Sequence, residues 1–220
     1  MTALLLATAA FFLTHLLSGT PLRARLIAGL GEWPYRGLYS LIAFATLGAM
    51  IWAFGRAPAE PLWNGLRLLP VFVMPFAFVL IACGYYRNPT AVGAEKLLKS
   101  DEPARGMIRI TRHPIMYALM LWALVHVLAR GDLASLVFFG GFFLVALFGT
   151  LSMDRRKARD LGADWQRFAA VTSHLPFAAI AQGRNRLVWR EIGWARPIGG
   201  LIAFAVFFAV HPWLFGVRPY

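Results

Sequence analysis

The sequence predicts an all-α fold: a polytopic integral membrane helical bundle of about six transmembrane helices, with an interfacial amphipathic helix on the cytoplasmic side. Three observations predict it. Of 220 residues, 59% are hydrophobic and only 15% charged, which leaves too little polar surface to cover a soluble globule. Apolar stretches of the length needed to cross hydrocarbon, roughly 17–25 residues, recur along the chain. The basic residues crowd into alternate connections between them, as cytoplasmic loops require.

The stretches are 2–18, 36–55, 67–86, 112–130, 133–152 and 197–215. Breaks mark their ends: Ser18-Gly19, Gly55 before Arg56, Arg87-Asn88-Pro89, Arg130-Gly131-Asp132, and Arg196-Pro197 opening the last. Met1 to Ser18 carries no formal charge and the first basic residue is Arg23, so the first stretch reads as a retained helix rather than a secretory signal. Pro70 and Pro75 remove backbone donors from the third span and predict a kink, which serves a cavity or simply better packing. Gly131-Asp132 alone joins the fourth and fifth spans, so these form a tight antiparallel hairpin.

Between spans, residues 19–36, 87–112 and 153–196 hold 18 of the 22 Lys and Arg residues. Arg56, Arg67, Arg130 and Arg218 make up the rest on the opposite side. This partition predicts a bacterial inner-membrane protein with both termini periplasmic. Residues 153–170 are too charged to cross. Ala158, Leu161, Trp165 and Phe168 recur there near helical spacing among Arg and Lys, which predicts the interfacial helix. No internal repeat or low-complexity tract divides the chain, and residues 1–220 read as one domain. The net charge of +12 comes with apolar runs that a nucleic-acid binder lacks, so lipid is the expected partner.

Cys83 is the only cysteine, which excludes a disulfide framework, a thiolate zinc site and covalent haem attachment through paired thiols. Histidines are the remaining candidates. His15 and His126 lie within apolar spans, where polar residues are costly. A neutral imidazole in such surroundings suits a metal, with haem the natural guest of a thiol-free bundle, or else bonds a neighbouring carbonyl. His113 follows Arg112 and precedes Pro114 at the cytoplasmic mouth of the fourth span. Free amides of a helix start and Arg112 would hold a propionate, phosphate or carboxylate there; interfacial snorkelling of Arg112 is the other reading. His174 reads as an interfacial surface residue and His211 as an anchor near the periplasmic end. His113 and His126 stand thirteen residues apart on one helix, roughly 20 Å at about 1.5 Å per residue, so they cannot share one iron. By depth in the membrane, His15 pairs better with His113 than with His126.

The chain resembles the NnrU family of bacterial membrane proteins and its plastid relative, zeta-carotene isomerase. The resemblance is carried by His15 with Ser18 and Leu22-Arg23, by Gly31-Glu32, Tyr35-Arg36 and Tyr39-Ser40, and by Gly106 to Pro114. It continues through Leu121-Trp122-Ala123, His126, Gly131, Asp154-Arg155-Arg156, Thr172-Ser173, Pro176 to Ile180, Gly183-Arg184 and His211-Pro212. It implies a haem b protein acting as a redox enzyme or polyene cis-trans isomerase on an apolar small molecule. Its proposed iron ligands fall on His15 and His126, against the depth argument for His113. NnrU proteins themselves resemble accessory factors of nitric oxide metabolism in denitrification, which implies a nitric oxide reductase complex as partner and leaves room for a non-catalytic role.

A second resemblance runs to membrane methyltransferases of the isoprenylcysteine carboxyl and phospholipid type. Arg112-His113-Pro114, the tight hairpin, the charged helix from Asp154 to Phe168 and Pro176 carry it. It implies S-adenosylmethionine as an alternative cofactor. The acidic pair expected near the hairpin's end is here Asp154 followed by Arg155.

Overall fold

A computed structural model describes residues 1–91 and 93–219. Helices cover every predicted span. They are α1 (Thr2–Leu17), α2 (Pro21–Leu30), α3 (Glu32–Phe54), α4 (Leu69–Gly84), α5 (Pro114–Arg130) and α6 (Leu133–Ala170); the single turns α7 (Ala178–Ala181) and α8 (Trp189–Ile192) precede α9 (Ala195–Phe215). Among the described residues there is no strand pairing beyond one isolated bridge, Pro61 to Asp132. The chain is a helical membrane protein: α3, α6 and α9 are each long and apolar enough to cross a bilayer. α4 and α5 are apolar but shorter, and α1 joins α2 across a 76° bend.

The departures from the predicted spans have local causes. The expected loop 19–35 contains α2, opened by Pro21 at its first position, where a missing N–H costs nothing. Pro70 falls in the first turn of α4, so only Pro75 interrupts the helix interior. α6 continues from the fifth span into the amphipathic stretch, with non-helical dihedrals at Gly162.

The chain divides into two compact units, residues 1–69 with 123–152, and residues 70–122 with 153–220. In the first, helices pack on small residues and rings. A Cβ on Gly141 would stand 2.4 Å from Thr8 Cγ2, so only glycine admits this approach of α1 to α6. Phe54 stacks on Phe138 at 4.3 Å and Phe11 meets Phe142 at 5.2 Å. The segment after α3 folds back on the hairpin turn: the Leu62 and Trp63 amides donate to the Gly131 carbonyl, and the Leu133 amide donates to Glu60. Asp132 caps α6 by accepting from the Ser135 amide at 2.7 Å and the Ser135 hydroxyl at 2.9 Å.

In the second unit, the apolar face of 153–170 is taken up by protein. Trp165 and Phe168 pack with Leu98, Ala104 and Ile108, flanked by Leu161. The predicted amphipathic stripe is real, but residues 98–108 lie against it. Lys157 is buried as well, donating to Glu95 at 2.9 Å and to the Pro89 carbonyl.

Candidate functional site

In the first unit, the His15 Nδ1–H donates to the Phe11 carbonyl at 2.8 Å, an i to i−4 bond along its own helix. This fixes the tautomer and leaves the Nε2 lone pair for another partner, the arrangement that a metal-ligating imidazole needs. Tyr39 stands edge-on at 6.1 Å and Tyr35 lies 6.1 Å beyond it. His126 packs its ring against Phe139 at 5.0 Å. Nε2 of His15 is thus the atom through which this side chain would hold a haem iron.

The two rings are not level, however, with α6 as the ruler. Phe12 meets Phe148, and a Cβ on Gly19 would touch Ser152, so His15 lies between them, whereas His126 lies beside Phe139. Roughly ten residues of helix separate the levels, on the order of 15 Å. In this register the two imidazoles do not face one another across a single iron. Between them runs a ladder of rings, Phe11, Phe142, Phe138 and Phe139. Among the described residues no group of three or more His, Cys, Asp or Glu is placed to hold a metal ion.

The same helices line an apolar groove of about 550 Å³, bounded by Thr8 and Phe12 of α1, Leu124 and Val127 of α5, and Gly140 and Leu144 of α6 among others. A volume of this size suits a small ligand. No titratable group lines it. A Cβ on Gly140 would meet nothing within 4 Å, so the groove is open at that point. The Thr8 hydroxyl is buried and makes no hydrogen bond.

The second unit brings together residues that sequence reasoning took separately. His113, 2% exposed, donates from Nε2 to Asp154 Oδ1 at 2.7 Å. Arg112 donates from Nη1 to Asp154 Oδ2 at 3.2 Å and from Nη2 to the Thr172 carbonyl at 3.1 Å. The anion expected opposite Arg112 is thus the chain's own Asp154. The backbone amide of Arg112 donates to the Ser173 carbonyl, and the Thr111 hydroxyl donates to the His174 carbonyl at 2.8 Å, so two loops are pinned together here.

His174, read from sequence as a surface residue, is half-buried with its ring 5.5 Å from that of His113 and its Nδ1 3.4 Å from the Tyr117 hydroxyl. Burial, and then the neighbouring His113, hold its pKa below the ordinary 6.5. Asp154 and His174 were the members missed. The available signal was an acidic residue at the end of an apolar span, which nothing local explains. Nearby, Arg109 pairs with Glu191 through two bonds of 2.7 and 2.8 Å and with Asn185 at 2.8 Å. That bidentate bond holds the Glu191 carboxyl below the usual range. His211 donates from Nδ1 to the Val217 carbonyl at 2.9 Å.

The family model described as NnrU protein matches residues 3–219. The 15-cis-zeta-carotene isomerase of Arabidopsis thaliana, a chloroplastic protein, is 31% identical over 142 residues, which cover 64% of this chain and 36% of the relative. That of Zea mays is 33% identical over 128 residues, covering 58% and 32%. The matched stretch thus spans about a third of each relative's length. No solved structure matches the chain.

Proposed function

The chain belongs to the NnrU family, and on that premise we propose that it is a membrane isomerase that changes the geometry of a double bond in an apolar polyene lodged between α1, α5 and α6, with haem b carried on His15. One observation carries this reading: the helices that bear His15 and His126 also wall an apolar groove of about 550 Å³ with no titratable lining. Such walls favour a hydrocarbon chain and exclude water. They offer no acid or base, so they neither add nor remove a proton, and rotation about a bond is the change they permit. Similarity to two isomerases named for a 15-cis carotene supports the same substrate class.

Haem, when bound, would supply a redox-active iron. His15 would hold it through Nε2, with Phe11 fixing the ring. His126, at a different level and packed on Phe139, would not complete the same coordination. The partition of basic residues supports an orientation with both termini on the periplasmic side of a bacterial inner membrane.

Reconstitution in liposomes with a cis-carotene tests this reading. Chromatography should show conversion to the trans isomer, and His15→Ala should abolish both the conversion and the Soret band. A protein with a Soret band that converts nothing would end the isomerase reading, and a protein without one would end the haem reading. S-adenosylmethionine binding by calorimetry would favour methyl transfer instead. Copurification with a nitric oxide reductase, without conversion, would favour an accessory role.

A further inference from the structure

The second unit also contains a polar cavity of about 430 Å³. Asp101, Glu102, Arg109, Arg167, Arg184 and Arg186 are among the residues that line it, so four guanidiniums share it with two carboxylates. Part of that charge is already answered. Arg109 is held by Glu191 through two bonds, Glu102 lies 3.7 Å from Arg105 and 3.9 Å from Arg109, and Arg167 lies 3.9 Å from Asp164.

Arg184 and Arg186 are different. Arg184 donates only to neutral acceptors: from Nε to Gln182 Oε1 at 2.8 Å, and from Nη1 to the Ala170 carbonyl and, at 2.9 Å, the Thr172 carbonyl. Its Nη2 and the whole Arg186 guanidinium have no partner among the described residues, and both side chains are exposed. Carbonyl dipoles satisfy donors but leave a full positive charge in place. The loop that bears these two arginines is itself fixed. Asn185 Oδ1 accepts from Arg109 Nη1 and from the Arg186 amide, each at 2.8 Å, and Asn185 Nδ2 donates to the Val171 carbonyl. A cavity wall pinned in this way spends little ordering entropy when a ligand binds.

The same loop leads into a membrane span. α9 is long and apolar enough to cross, Trp194 immediately before it is 83% exposed, and Trp189 is 72% exposed. Exposed tryptophans at the end of a span sit at the level of the lipid headgroups, where phosphate is the abundant anion. Guanidinium forks match phosphate oxygens through paired, charge-assisted bonds.

We propose that this cavity is a phosphate-binding site, occupied by the headgroup of an anionic phospholipid or by a free phosphate ester. Arg186 and Arg184 Nη2 supply the donors and the unanswered charge. Asp101, which has no cationic partner among the described residues, opposes the anion and limits its affinity. The site lies in the second unit and does not depend on the groove of the first.

Native mass spectrometry of the full-length protein released from micelles tests this with three probes: dioleoyl phosphatidylglycerol, dioleoylglycerol, which lacks the phosphate, and sn-glycerol 3-phosphate. A phosphate-bearing probe should be retained one to one and dioleoylglycerol should not. Arg186→Gln, which removes no side-chain bond, should weaken retention about fivefold, and Asp101→Asn should strengthen it by a similar factor. Arg25→Gln, on exposed α2 of the other unit, should change nothing. Should Arg186→Gln not fold, the gain in Asp101→Asn decides, since damage to the fold does not tighten binding.

Retention of phosphatidylglycerol without glycerol 3-phosphate assigns the site to a lipid headgroup; retention of glycerol 3-phosphate with the same response to both substitutions assigns it to a free phosphate ester. Equal retention of dioleoylglycerol, equal loss in Arg25→Gln and Arg186→Gln, weaker binding in Asp101→Asn, or no retention of either phosphate overturns the inference.

Discussion

The His113 imidazole and the Asp154 carboxylate meet at 2.7 Å across 41 residues of sequence, and the same carboxylate holds Arg112 at 3.2 Å. One acidic side chain thereby ties the start of α5 to the middle of α6, with His113 1% and Asp154 21% exposed at the side chain.

Removing that carboxylate leaves a buried guanidinium without its counter-charge. Asp154→Ala should lower the unfolding free energy by roughly 3–5 kcal/mol, as expected when one partner of a buried pair is deleted. Asp154→Asn keeps the shape and one acceptor and should cost less, about 1–3 kcal/mol. Thermal unfolding in detergent measures both. Equal stability of Asp154→Ala and the native protein would mean that the pair contributes nothing.

Gly140 and Gly141 are neighbours with opposite expectations. At Gly140 a side chain enters open groove, so Gly140→Leu should leave stability unchanged and block occupancy, cutting conversion of a cis-carotene by at least about tenfold. At Gly141 even a methyl group strikes Thr8 Cγ2, so Gly141→Ala should destabilise by about 1–3 kcal/mol. Chromatographic assay and melting curves, run on both variants, decide.

Glu191 titrates below the ordinary carboxylate value of 4.5 because Arg109 binds its charged form. A depressed carboxyl contributes stability that is present above the unfolded value and lost as pH falls through the folded one. Melting temperature should therefore drop on acidification below about pH 4.5, and Glu191→Gln should flatten that part of the profile while lowering stability near neutrality.

His174 has the opposite charge type and the same direction of pH effect. Its folded value lies below 6.5, so the unfolded chain takes up the proton first as pH falls, and stability declines from about pH 6.5 downward. In His174→Gln this component should vanish, while the Glu191 component at lower pH persists. A melting profile unchanged between pH 7 and 5.5 in the native protein would contradict it.

His15 and His126 occupy different levels of the first unit, so their substitutions should not behave alike. His15→Ala should remove the Soret band of the haem-loaded protein; His126→Ala should retain it. Loss of the band in both variants would mean that the helices shift register to bring the two rings onto one iron.

What the sequence determined by itself is what lies in short stretches of chain. Hydropathy over about twenty residues located the apolar helices, because lipid demands it residue by residue. Ala158, Leu161, Trp165 and Phe168 announced an amphipathic helix by their spacing, and Gly131-Asp132 announced the hairpin. The motif around Arg112-His113-Pro114 and the pair His15 and His126 marked the family. Tertiary structure decided everything that depends on which faces meet. That Asp154 is the anion at Arg112, that His174 leaves the surface to stand beside His113, and that residues 98–108 take the amphipathic face all follow from packing across 41 to 69 residues. The level of His15 against His126 is of the same kind. Helical period fixes which side of a helix a residue occupies, but the sliding register between helices is set by close approaches such as Thr8 on Gly141, which no single segment encodes.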